Sequence, residues 1–216
     1  KDMIAISGGC ICCSFGSDLT AALIKLSELA PPPDHVVIEA SGVAMPGTVA
    51  LSISILPGFA LAGVVVLADG ERVQAQAEDD YIGDTILRQL SDADVIVHSK
   101  TDLQPYPSAV DAVDTWLQAM APQAKIVPTT QGRVPPDIIL GLTGPNAKPQ
   151  ASPHADAGYE SRAFRHIPPC VPGDLAQNLA TGPYGVIRAK GFLRDREGGR
   201  WVIQTVGQRF EAQRSQ

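Results

Sequence analysis

Short, apolar, β-branched runs alternate with amphipathic stretches along the first two thirds of this 216-residue chain, and each run ends in polar residues. His35-Val36-Val37-Ile38-Glu39-Ala40, Gly63-Val64-Val65-Val66-Leu67-Ala68-Asp69 and Asp94-Val95-Ile96-Val97-His98 are apolar on both faces. Strands with that pattern belong inside a parallel sheet covered on both sides. Between and after them, apolar residues recur at helical spacing: Leu19, Ala22, Leu23, Leu26 and Leu29; Ile82, Ile86, Leu87, Leu90 and Ala93; Val110, Val113, Leu117 and Met120. Ser17 or Asp18 offers an N-cap to the first of these helices, and Pro31-Pro32-Pro33 stops it. Met3 to Ile6 reads as the end of an earlier strand, Lys125 to Pro128 as a last short one, and Ile138 to Leu142 as a closing helix. The expectation is an α/β fold, a mainly parallel sheet with helices on both faces.

The style changes after residue 143. Residues 144–158 are rich in Pro, Ala, Gly and Ser and read as a linker. Beyond them Tyr159 to Ile167, Tyr184 to Leu193, Arg200 to Val206 and Gln208 to Ala212 read as strands, with a helix over Asp174 to Leu179 and a hairpin turn over Arg194 to Gly199. The predicted organisation is a core over 1–143, a linker over 144–158 and a small α+β domain over 159–216.

Composition narrows the function. A formal net charge of −6 and the lack of a basic stripe argue against a nucleic-acid face. No apolar run reaches the roughly 18–20 residues of a membrane span, and Lys1-Asp2-Met3 leads straight into strand-like sequence, so the expectation is a cytoplasmic protein with no membrane contact.

Three of the four cysteines fall in Gly8-Gly9-Cys10-Ile11-Cys12-Cys13-Ser14. Glycines let such a stretch turn sharply, and converging thiolates favour zinc and other soft or borderline metals. Three sulfurs leave tetrahedral zinc one position short; water, Glu39 or a partner's side chain could supply the fourth ligand. Buried free thiols are the bland alternative. Cys170, set among prolines, reads as a passive thiol, and His35, His98, His154 and His166 form no spaced cluster. In parallel sheets ligands sit beyond the carboxyl ends of the strands. Glu39 and Gly42 stand at one such end, and Ser99, Lys100 and Asp102 at another; Asp69 reads equally well as a turn residue.

Gly9-Cys10-Ile11-Cys12-Cys13, Glu39-Ala40-Ser41-Gly42 and Ser99-Lys100-Thr101-Asp102 occur in the order seen in CobW-like GTPases, relatives of the nickel chaperones for hydrogenase and urease. The stretch Gly185 to Leu193 with Trp201 resembles the CobW carboxyl-terminal domain. The resemblance implies GTP hydrolysis coupled to delivery of a metal, zinc or cobalt, to an apo-metalloprotein client. It implies Cys10, Cys12 and Cys13 as metal ligands and Glu39 as the acid near magnesium and the attacking water. Lys100 and Asp102, flanked by Ser99, would form the guanine-recognition loop, with Gly42 also at the nucleotide. A carboxylate acceptor matches the N1–H and amino donors of guanine, whereas adenine presents an acceptor at N1.

Two departures stand out. Ser99 occupies the position where the family usually has Asn. The chain also contains no Gly-x-x-x-x-Gly-Lys-Ser/Thr phosphate loop, which the family carries on its first strand, upstream of the cysteines. The resemblance therefore implies a chain that starts inside the domain and, by itself, binds nucleotide poorly. A metal-binding module without hydrolysis and a P-loop ATPase or kinase with a structural zinc stay open as alternatives, as does a homodimer.

Overall fold

The computed structural model describes residues 15–140 and 162–215. These form two compact units that divide between Ala62 and Gly63.

In the first unit, helix α1 (Phe15–Ser27) and helix α2 (Pro46–Ser54) share a small apolar core. Leu19 and Leu23, one turn apart on α1, are buried with Ile53 of α2, and Leu26, Val36, Ile38, Val49, Leu56, Phe59 and Leu61 pack around them. Helix α1 begins at Phe15, before the expected Ser17 or Asp18 cap. Helix α2, which the sequence reading missed, starts with Pro46 in its first turn, where the missing N–H costs nothing.

The stretch His35 to Ala40 departs from expectation. It pairs with no strand among the described residues and runs irregularly. Val36 and Ile38 turn into the core while Val37 is 72% exposed, a period-two pattern with one face buried rather than two. Apolar character on both faces marks a central strand only where neighbouring strands satisfy its amides.

The second unit holds both sheets. Strands β1 (Val65–Asp69), β2 (Val95–Ser99) and β3 (Lys125–Pro128) form a parallel sheet in the order β1-β2-β3. Val65 is in register with Val95 and Asp69 with Ser99, and Val95 with Lys125, so the three strands end together. The central strand β2 is buried from Val95 through His98, as its unbroken apolar run requires. On one face, Ala68, Ile96 and Ala124 meet helices α3 (Val73–Ala77), α4 (Gly83–Ser91) and α5 (Pro107–Met120) through Val73, Leu90, Val113 and Leu117. On the other face, Val95 and Val127 meet Ile138 of helix α6 (Pro136–Leu140) and Val206. The mainly parallel sheet with helices on both faces is thus as expected; α3 is an addition.

Helix α7 (Pro172–Thr181) covers one face of an antiparallel sheet of β4 (Arg188–Arg194), β5 (Arg200–Val206) and β6 (Arg209–Arg214). Ala176 and Ala180 are fully buried, and such small residues let the helix sit close to Leu193 and Ile203. The β4–β5 turn forms as its sequence predicts. Asp195 Oδ1 accepts from the amides of Glu197 (2.9 Å) and Gly199 (2.7 Å), and Oδ2 accepts from Trp201 Nε1 (2.7 Å). The Trp201 bond, with those amides, holds the Asp195 carboxyl below the usual range. The expected strand over Tyr159 to Ile167 is not seen in its described part, 162–167, which is irregular. The expected linker, 144–158, lies outside the described residues.

The two sheets are tied at the amino ends of the parallel strands. Asp94 Oδ2 accepts from the Val64 amide (2.8 Å), and Oδ1 from Arg209 Nε (3.0 Å). Gly207 packs so tightly on Asp94 that a Cβ would overlap the Asp94 carbonyl, and its φ of +57° suits glycine. Arg188 donates through Nη1 to the Ile139 carbonyl (2.7 Å). Burial pushes its pKa down, opposed by the nearby Asp94 charge.

Candidate functional site

The polar residues converge at the carboxyl ends of the parallel strands, the edge where sheets of this type bind ligands. Asp69 closes β1, Ser99 closes β2, and Thr129 follows β3. Lys100 then takes a left-handed conformation (φ 61°, ψ 32°), reversing the chain into a 3₁₀ turn over Thr101–Leu103.

Every side of this loop is fastened. Ser99 Oγ donates to the Ala68 carbonyl (2.9 Å), and the Gly70 amide donates to the Ser99 carbonyl (3.1 Å). Thr101 donates to the Thr129 carbonyl through its hydroxyl (3.0 Å) and its amide (3.3 Å). Thr129, itself buried, donates through its amide to the His98 carbonyl (2.8 Å) and through its hydroxyl to the Arg133 carbonyl (2.9 Å). Lys100 Nζ binds Asp69 Oδ2 at 2.7 Å, while Asp69 Oδ1 accepts from the Glu71 amide at 3.0 Å. Burial works to raise the Asp69 pKa, but the Lys100 and Glu71 bonds and the Lys100 and Arg72 charges outweigh it. The carboxyl stays below its usual range.

Asp102, in contrast, is exposed, its carboxylate engaged by no described residue. A fixed backbone thus presents one free acceptor group to solvent, beside a lysine neutralised by its own partner. Such an arrangement can accept two parallel hydrogen bonds from a planar ligand without reorganising.

The structure therefore brings Ser99, Lys100 and Asp102 together and adds Asp69, which the sequence left undecided between turn and site. Its signal was register: an acid closing the neighbouring strand at the position of Ser99. Glu39 and Gly42 belong to the other compact unit, where both are exposed. There the Ala44 amide donates to the Ser41 carbonyl (2.9 Å), turning the chain into α2, and no atom lies within 4 Å of a Cβ built on Gly42. Cys10, Cys12 and Cys13 lie outside the described residues. Among the described residues no group of three His, Cys, Asp or Glu side chains could hold a metal, and no helix is long and apolar enough to cross a membrane.

Residues 1–128 match the family model described as CobW/HypB/UreG, nucleotide-binding domain. The chain is 29% identical over 163 residues to a protein named zinc chaperone CobW from a Sinorhizobium species, an alignment covering 65% of this chain and 46% of the relative. It is 30% identical over 138 residues to zinc-regulated GTPase metalloprotein activator 1 of Schizosaccharomyces pombe, covering 62% of this chain and 33% of that one. The chain thus spans less than half the length of these curated relatives. Among solved structures it is similar to the Zn(II)-bound YjiA GTPase from E. coli, at 20% identity and a TM-score of 0.47, covering 92% of this chain and 67% of that one. The family model takes in more than half of the sequence, and the chain belongs to the CobW/HypB/UreG nucleotide-binding family.

Proposed function

We propose that this chain is part of a GTP-hydrolysing metallochaperone that carries zinc, or cobalt, on Cys10, Cys12 and Cys13 and passes it to an apo-metalloprotein client in the cytoplasm. The observation that carries the reading is the fastened loop after β2. It holds Lys100 against Asp69 and leaves the Asp102 carboxylate free, in a chain of a nucleotide-binding family. The names of the curated relatives, a zinc chaperone and a zinc-regulated GTPase activator, support metal delivery.

The chemistry follows from the donor sets. Asp102 accepts from guanine N1–H and the 2-amino group; adenine would turn a lone pair toward the same carboxylate and be repelled. Ser99, whose hydroxyl is already committed to Ala68, contributes by keeping β1 and β2 in line rather than by reading the base. Glu39, an exposed carboxylate, has the donor type that magnesium prefers, and it would orient the ion and the water that attacks the terminal phosphate. The phosphate loop that such hydrolysis needs is not among these 216 residues, so base recognition and metal binding are the functions assigned to residues here.

Zinc is the cargo. Three thiolates bind it with one position left for a partner, which allows ligand exchange with a client. In sequence the cysteines precede α1 and Glu39 follows it, so one helix links the metal loop to the nucleotide acid. The test is base preference together with zinc stoichiometry. In a form of the protein that carries the phosphate loop, guanine nucleotides should bind at least about tenfold more tightly than adenine nucleotides, a difference of about 1.4 kcal/mol. Asp102→Asn should move the preference to xanthine nucleotides, whose 2-carbonyl accepts from an amide. Cys12→Ala should abolish stoichiometric zinc binding. Equal affinity for both bases, or zinc binding indifferent to Cys12, would contradict the reading.

A further inference from the structure

Directly behind the Ser99–Asp102 loop lies a buried polar chain that the site description leaves unused. His98, the last inward residue of β2, is fully buried, and its Nδ1 sits 2.6 Å from Asp114 Oδ1 on α5. A carboxylate can only accept, so Nδ1 carries the proton, and in the Nδ1-protonated tautomer Nε2 presents a lone pair. His98 Nε2 has no hydrogen-bond partner among the described residues, and neither does the buried Nε2 of Gln104. The two orphans face one spot. A Cβ on Gly70 would overlap His98 Nε2 and lie 2.9 Å from Gln104 Nε2.

The pairing is chemically complementary: the glutamine amide nitrogen has hydrogens to give, and the imidazole nitrogen has a lone pair to accept them. Buried polar atoms left unmade cost about 1–3 kcal/mol each, so two complementary ones facing the same small space are expected to be satisfied together. Gly70, lacking a side chain, lets the His98 ring and the Gln104 amide close in against its backbone. Gln104 follows the 3₁₀ turn immediately, and its amide donates to the Thr101 carbonyl (3.3 Å).

We propose that Gln104 is a positioning residue: through His98 Nε2, directly or across one water, and on to Asp114, it anchors the 99–104 loop from behind and sets where Asp102 points. The proposal rests on the reading of Asp102 as the base acceptor for its purpose, but the anchoring itself does not. Gly70, the buried histidine and Asp114 of α5 thereby form one support, joining β1, β2 and α5 beneath the loop.

The experiment uses nitrogen NMR of the His98 ring and amide hydrogen exchange on the whole chain, wild type against Gln104→Leu and Gln104→Met. Wild type should show the Nδ1-protonated tautomer, and both variants should shift the Nε2 resonance. Amide exchange at Thr101, Asp102 and Leu103 should quicken about tenfold while Ile96 and Val97 in β2 keep their rates. Methionine matches glutamine in length but has no N–H to give, so a packing role would survive Gln104→Met and anchoring would not. A ring protonated at Nε2 in place of Nδ1, or wild-type loop exchange in either variant, overturns the proposal. Asp102→Asn measured alongside separates the two ideas. Loop exchange that responds to Gln104 without any guanine preference refutes base binding and leaves the anchor standing.

Discussion

Lys100 is the residue in which the candidate site's electrostatics meet. Its left-handed backbone reverses the chain after β2, and its ammonium, paired to Asp69 at 2.7 Å, fastens that reversal to the neighbouring strand. Because the pair keeps the Asp69 pKa low, its stabilisation is fully present above the ordinary Asp value and disappears as pH falls through the lower, folded value. Lys100→Met removes the attraction and leaves the burial that opposes it. The Asp69 titration midpoint, followed by carboxyl NMR, should therefore rise in that variant; an unchanged midpoint would show that the pair does not form in solution. The partners of Lys100 were not legible in the sequence, since only strand register brings residues 31 positions apart to the same edge.

Strand β2 is the element that carries the parallel sheet. Val95, Ile96 and Val97 are almost wholly buried, with β1 and β3 hydrogen-bonded on either side and helices above and below. Ile96→Ala should lower unfolding free energy by about 2–5 kcal/mol, read from urea denaturation, because the cavity opens where β2 meets α4 and α5. Strands β1 to β3, helices α4 and α5 and the β4–β5 turn were legible from apolar runs, helical spacing and turn residues. Their signals are local, or depend on burial that the sheet supplies. The stretch 35–40 carries as strong an apolar signal, yet it has no described neighbour to pair with, and pairing is not written in a single segment. Helices α2 and α3 escaped notice because their apolar spacing is short and weak. The polar chain from Gln104 to Asp114 escaped because it joins a loop, a strand and a helix whose meeting is a tertiary fact.

On the scale of the second unit, the proposed nucleotide edge and the attachment of the second sheet lie at opposite ends of the same three strands. Asp94 ties the amino end to Arg209 and to the Val64 amide, near the half-buried Arg188. Asp94→Ala leaves a buried amide unsatisfied and the Arg209 guanidinium without its carboxylate, and should cost about 2–4 kcal/mol in thermal or chemical unfolding. Guanine-nucleotide affinity, read at the far edge, should stay within about twofold of wild type, a change of about 0.4 kcal/mol. A loss of binding without a loss of stability would show that the second sheet reports directly on the nucleotide edge.

The measurement that tests the central claim most directly is a zinc titration of the protein, in a form that carries the phosphate loop, bound to a non-hydrolysable GTP analogue and, separately, to GDP. If nucleotide state governs a three-cysteine metal loop, the two zinc dissociation constants differ by about tenfold or more, a coupling of about 1.4 kcal/mol. Identical constants in the two nucleotide states would contradict a GTP-driven metal carrier.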